Sequence, residues 1–211
     1  MGILRDGIFG PLRGRTGPLS ARVVRKINVV SRLREKGKTS AGEAVSLHRL
    51  KFVSVSALLN QLLPLVRLGF AYDKNRGAVQ AAMKYNFELI VSDQSGEVLI
   101  DYRKVVFSRG RQAGLNSPVV HLEEGSIAVF NWACEEQQEY NRCLDKVCFL
   151  VYSASRKEPL IAVGAALRSD LNYSMAIPAY FTGDDLYAYT SVVSFDGRWV
   201  SNSMCLGKIT I

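Results

Sequence analysis

Two histidines, His48 and His121, and four cysteines, Cys134, Cys143, Cys148 and Cys205, are the side chains here best suited to proton transfer, nucleophilic attack or soft-metal ligation. A catalytic triad needs a nucleophile, a histidine base and an acidic orienter. Nothing local to either histidine marks such a set, so both read as surface or capping residues. No two cysteines form a Cys-x-x-Cys pair and no histidine lies near them, which argues against zinc and for reduced, mostly buried thiols. Glu135, Glu136, Glu139 and Asp145 are clustered, but hard-metal loops space their oxygens more regularly. That cluster reads as a solvated loop between strands. Gly10-Pro-Leu-Arg-Gly-Arg-Thr16 superficially resembles a phosphate loop. It is one residue short, carries Arg15 in place of the lysine, contains proline, and has no flanking strand and helix. The expectation is a protein that is not an enzyme and uses no metal and no cofactor.

Charge is the stronger signal. Residues 1–51 hold 12 Lys/Arg against 3 Asp/Glu, whereas residues 52–211 hold 15 against 16. The entire excess of +8 therefore arises in the first quarter of the chain, the pattern of a basic arm that meets an anionic partner. Arg13, Arg15, Arg22, Arg25, Lys26, Arg32 and Arg34 are the candidate anion or nucleic-acid contacts, each able to pair with a phosphate. No aromatic residue lies between Phe9 and Phe52, so the arm offers no base stacking and any binding would follow the backbone. The same cations also suit a solvated arm that keeps the chain soluble. Ile27, Val29, Val30 and Leu33 interrupt the cations and need something to pack against. They are the candidate assembly residues, with strand addition as the expected mode.

These residues sit on recognisable elements. Glycines and prolines dominate residues 1–20, and the β-branched stretch Ala21–Val30 predicts one or two short strands turning near Lys26–Asn28. A polar linker follows, Arg34 to Gly42. Leu47, Leu50, Ser54, Leu58, Leu62 and Leu65 recur at helical spacing over 43–68, with Thr39 or Ser40 as cap, Pro64 as a kink and Gly69 as the stop. A second helix is expected over Lys74–Val91. From Gly96 onward the period becomes that of strands: Val98–Phe107, Val119–Leu122, Ser126–Trp132, Val147–Tyr152, Leu160–Leu167, Tyr173–Ile177, Leu186–Val193 and Trp199–Ile211. Asp196-Gly197 marks a hairpin between the last two. The most apolar window, Phe52–Leu68, is too short and too polar to span a bilayer. The N-terminal residues lack the pattern of a signal peptide. A cytoplasmic or particle location follows.

Two resemblances attach to these residues. Gly125-Ser-Ile-Ala-Val-Phe-Asn-Trp132 resembles the second strand of a fibronectin type III or immunoglobulin-like module, with Trp132 as its core tryptophan. Ile177–Tyr189 resembles the approach to that module's penultimate strand. The chain as a whole is similar to an uncharacterised family from Bacteroidota. The similarity is carried by Asp6-Gly-Ile-Phe-Gly10, Gly14-Arg-Thr-Gly17, Lys51-Phe52 through Gly69-Phe70, Ala82-Met-Lys-Tyr-Asn86, Ile100-Asp-Tyr-Arg-Lys104 and Ser108–Gly110. Pro11 and Pro18 depart from its pattern. The resemblance implies an architecture but no activity.

The fold class expected is mainly β: a C-terminal antiparallel sandwich of the immunoglobulin or fibronectin III type, preceded by two helices and an extended basic arm. The divisions are 1–42 for the arm, 43–111 for a helical and strand connecting segment, and 112–211 for the sandwich. The function expected is a structural subunit of a multi-copy, homo-oligomeric assembly joined through the arm. Arm-plus-sandwich architecture suggests a virion- or prophage-type particle by analogy alone. The alternative is sequence-independent nucleic-acid binding by the arm.

Overall fold

The run Val147-Cys-Phe-Leu-Val-Tyr152 offers almost nothing polar to water, and such a strand is stable only with both faces covered. The computed structural model describes residues 2–4, 12–24, 26–33, 42–73, 77–89, 91–94, 97–123, 126–134 and 140–210. The fold is mainly β, and the chain forms two compact units, Met1–Gly42 and Glu43–Ile211.

The smaller unit is an antiparallel sheet of β1 (Gly2–Leu4), β2 (Gly14–Thr16), β3 (Leu19–Val24) and β4 (Ile27–Arg32), in spatial order β1-β4-β3-β2. Val24 pairs with Ile27 and Val23 with Asn28, so the strand has already begun within the turn expected at Lys26–Asn28. Lys26 holds a φ of 66°, as tight hairpin connections require. Asn28 lies inside β4 and is buried. Its amide faces both backbone groups of Leu12, and turned with its nitrogen toward the carbonyl (2.9 Å) and its oxygen toward the N–H (2.8 Å) it satisfies both.

The larger unit begins with α1 (Glu43–Gln61), α2 (Leu63–Gly69) and α3 (Ala78–Leu89). Pro64 stands in the first turn of α2, where its missing N–H does no harm but an uninterrupted helix is impossible. The chain accordingly bends by 87° between α1 and α2. The expected caps Thr39 and Ser40 lie outside the described residues. The helical stripe is buried only in its later half. Val55, Leu58, Leu59, Leu62 and Leu65 form the core, while Leu50 and Val53 stay exposed. The second helix is shorter than the expected Lys74–Val91, because Val91–Gln94 is already the first strand, β5, of a hairpin with β6 (Glu97–Ile100).

Seven strands follow: β7 (Asn116–Glu123), β8 (Ile127–Ala133), β9 (Lys146–Ser153), β10 (Glu158–Leu167), β11 (Asn172–Ala176), β12 (Asp185–Val193) and β13 (Met204–Thr210), with a short helix α4 (Tyr140–Cys143) between β8 and β9. They make two antiparallel sheets, β10-β9-β12-β13 and β11-β8-β7. One face of the four-stranded sheet meets the other sheet through Phe130, Trp132, Phe149, Val151, Leu186 and Ala188. Its other face, through Cys148, Leu150, Tyr152 and Tyr189, meets α1, α2 and α3. The run at 147–152 is thus covered twice, which accounts for its composition. Residues 43–111 and the sandwich share this core. Trp132 is buried as expected, its ring tilted at 39° to that of Phe149 with centroids 5.9 Å apart.

Two expected strands are curtailed. Val98–Phe107 ends at Ile100, because the Asp101 carboxylate accepts from the Arg103 N–H (3.1 Å) and caps a 3-10 turn over Tyr102–Lys104. Trp199–Ile211 begins pairing regularly only at Met204. Upstream, Ser201 is drawn into bonds with Val192, its hydroxyl accepting from the Val192 N–H (2.8 Å), while the Val200 carbonyl accepts from the Gln112 N–H (3.0 Å).

Candidate functional site

Strand register decides which arm residues act together. Alternate residues of a strand face opposite sides. In β3 and β4, Arg22 pairs with Val29 and Val24 with Ile27, so these four share one face, together with Arg15 through its pairing to Ser20. Val30 and Arg32 belong to the opposite face, beside Ala21 and Leu19 respectively. The candidate anion residues are therefore split. Arg13, Arg15, Arg22, Lys26 and Arg32 are all exposed, but they form no single stripe. Arg25 and Arg34 lie outside the described residues. The candidate assembly residues are split too: Ile27 and Val29 on one face, Val30 on the other. Leu33 follows the strand and donates its N–H to the Pro18 carbonyl (2.6 Å). Among the described side chains of this sheet, Asn28 is buried, whereas Leu19, Val23, Val24 and Ile27 are exposed.

The chemically versatile residues are dispersed. The His48 ring packs on Phe87 at 5.0 Å between centroids, joining α1 to α3. His121 lies on β7, its Nε2 3.6 Å from a Glu123 carboxylate oxygen. None of the four cysteines is in a disulfide. Burial pushes the Cys148 and Cys205 thiols above their ordinary pKa, away from the thiolate form that nucleophilic and metal chemistry need. Among the described residues no group of His, Cys, Asp and Glu is placed to hold a metal ion, and no single helix is long and apolar enough to cross a membrane. Glu135, Glu136 and Glu139 lie outside the described residues. Asp145, read from sequence as part of a solvated loop, is buried. It sits against Arg168 (3.6 Å), accepts from the Gln112 amide, and takes the Phe195 N–H at 3.2 Å. Arg168 in turn donates to the carbonyls of Ala113 and Gly114. The Trp132 indole donates to the Arg168 carbonyl (2.7 Å).

This buried knot fixes one end of the sandwich, where the β12–β13 connection projects outward. The connection is stiffened from within. The Asp196 carboxylate accepts from the Ser194 hydroxyl (2.6 Å) and the Arg198 N–H (2.9 Å), and the Trp199 N–H donates to the Ser194 hydroxyl (2.9 Å). Gly197 occupies a φ of 70°, which glycine adopts without penalty. Held on this turn, Phe195 and Trp199 are 49% and 48% exposed, and Tyr72, from the segment after α2, is 49% exposed. Tyr72 stacks on Trp199 with centroids 6.3 Å apart and donates its hydroxyl to the Gly197 carbonyl. Clefts of about 300 Å³ and 240 Å³ flank this ridge. The first includes Lys146, Phe195 and Gly197, the second Tyr72, Asp73, Tyr85 and Arg109.

Sequence reasoning missed this surface. It assigned Trp199 to a strand and read Asp196-Gly197 only as a turn. The available signal was a turn dipeptide bracketed by aromatics, Phe195-Asp-Gly-Arg-Trp199. The contribution of Tyr72, 127 positions earlier, has no signal in the local pattern.

No curated protein matches the sequence. Residues 23–207 match the group described as a family of unknown function, DUF6266. The glycine motifs at residues 6–17 precede that span, whereas the similar segments at 51–70, 82–86, 100–104 and 108–110 fall within it. The match covers most of the chain, and the protein belongs to this family of unknown function.

Proposed function

We propose that the protein is a non-catalytic structural subunit: an immunoglobulin or fibronectin-type sandwich, braced by helices, that associates with further copies through its N-terminal sheet. Seven antiparallel strands divided four and three between two packed sheets support the module assignment. One observation carries the assembly reading. Four short strands present Leu19, Val23, Val24 and Ile27 to solvent with only Asn28 buried among the described side chains. A sheet this small cannot bury a core of its own, and exposed apolar strands with open edges pair readily with other chains. A multi-copy particle, of virion or prophage type by analogy, is the setting in which such a sheet serves. The protein then resides in the cytoplasm or in that particle.

Sedimentation velocity of the full chain tests this. A species larger than a monomer is expected, and it survives 1 M salt because apolar burial is not screened. It dissociates when Val24, Ile27 and Val29 become Ser. A second reading rests on the exposure of Arg13, Arg15 and Arg22: the arm binds nucleic acid without regard to sequence. A full-length monomer that loses nucleic-acid affinity steeply with salt, and loses it altogether when those three become Gln, would replace the first reading with the second.

A further inference from the structure

Exposed aromatic rings that are rigidly held and ringed by cations are a platform for bases and phosphates. The end of the sandwich described above has this composition. Tyr72 and Trp199 form a stack that remains about half exposed, and Phe195 stands beside it on the same stiffened turn. Next along the surface, Tyr85 stacks on Phe70 at 5.9 Å, with the Arg109 guanidinium 4.2 Å and the Lys84 ammonium 5.6 Å from its ring centroid. Arg109 is fixed by its backbone. Its N–H donates to the Gly69 carbonyl (3.2 Å), and a side chain on neighbouring Gly110 would strike the Val200 carbonyl. Lys146 lines the same cleft as Phe195, and Arg198 is largely exposed, its guanidinium 3.7 Å from an Asp196 carboxylate oxygen. Against these cations stand Asp73 and Asp196, and the Asp196 carboxylate is committed to its own turn. The basic arm lacks aromatics; this surface supplies them.

We propose that this aromatic ridge binds single-stranded nucleic acid, with bases extending the Tyr72–Trp199 stack and phosphates meeting Arg109, Lys84, Lys146 and Arg198. The site is independent of the N-terminal sheet, so the ridge and the assembly reading stand or fall separately. Rings already ordered by the Asp196 turn lose little conformational freedom on binding. Stacking accepts any base, so preference is for single strands over duplex and not for a sequence.

The test uses the full-length chain with a fluorescently labelled oligothymidine and a duplex of equal phosphate number, read by anisotropy. The single strand is expected to bind more tightly than the duplex. Trp199→Ala should weaken it about tenfold or more, while Trp199→Phe retains most of the affinity. Lys84→Gln with Arg198→Gln should flatten the log–log salt slope by about 0.7 for each phosphate no longer neutralised. Thermal melting confirms that each variant is folded. Replacing Arg13, Arg15 and Arg22 by Gln should leave this binding in place. Equal affinity for duplex, indifference to Trp199→Ala in a folded protein, or displacement by polyglutamate as effective as by unlabelled oligothymidine would each overturn the proposal. The last result would assign the ridge to an acidic protein partner.

Discussion

Arg168 and Asp145 face each other with 1% and 2% of their side chains exposed, so removing either strands a charge in the interior. Arg168→Ala should therefore cost about 3–5 kcal/mol in denaturant unfolding, more than most surface changes. Burial raises the Asp145 pKa, opposed by the Gln112 hydrogen bond and by Arg168. The proton is thus held more tightly in the folded protein than in the unfolded one. The stability linked to this group is fully present below the ordinary carboxylate pKa and is lost as pH rises through the raised value. Arg168→Met should move that loss to higher pH, measurable as a shifted stability profile. Trp132 is tied to the same knot through its indole hydrogen bond. Trp132→Ala should cost about 3–5 kcal/mol through the cavity and the orphaned carbonyl. Asn86 shows why one apolar helical face carried an amide: its side chain donates to the Val106 carbonyl (2.6 Å) and accepts from the Val106 N–H (2.8 Å), clipping α3 to the chain that follows β6.

Among the elements, α2 ends where two segments touch. At Gly69 an added Cβ would fall 2.5 Å from the Ser108 Cα and closer still to the Phe107 carbonyl. Gly69→Ala must push backbone from backbone and should destabilise strongly. Gly77 is the N-cap of α3, its carbonyl accepting from the Ala81 N–H (2.9 Å), and an added Cβ would meet only the end of the Gln80 side chain at 4.0 Å. Gly77→Ala puts a poorer residue at the N-cap and should cost up to about 1 kcal/mol, a local penalty with no backbone clash. Thermal melts should show a far larger drop for Gly69→Ala than for Gly77→Ala. Elements whose signal was local were legible in the sequence: the Pro64 break, the strand-length runs from Val119 to Val193, the Asp196-Gly197 turn. Those decided by distant partners were not. Leu50 has the spacing of a core residue but is exposed, because the buried face of α1 is set by Val55, Leu58 and Leu59. Val105 and Phe107 look like strand residues, yet their segment is held in the core by Asn86, which bonds the Val106 backbone between them, and by the Ser203 hydroxyl, which accepts from the Phe107 N–H (3.2 Å). Asp145 looks like loop solvation until Arg168, 23 positions on, is brought beside it.

For the whole molecule, the division at Gly42 sets a clear expectation. A chain beginning at residue 43 should fold, since its core draws only on later residues, and it should sediment as a monomer. If it keeps the size of the full-length protein, the N-terminal sheet is not the assembly element. The asymmetry of charge announced a separate first unit, and the change of period near Gly96 announced the sheets. Neither showed that the helices would cover one face of the same sheet that the second sheet covers from behind. That arrangement orders events on the ribosome. Leu89 is synthesised roughly 5–20 s before Val193, at ordinary elongation rates. Throughout that interval the apolar faces of α1, α2 and α3 await a surface that does not yet exist. The nascent chain is thus a natural client for chaperones that shield emerging hydrophobic segments, and synonymous changes that slow translation between residues 90 and 190 should lengthen that dependence.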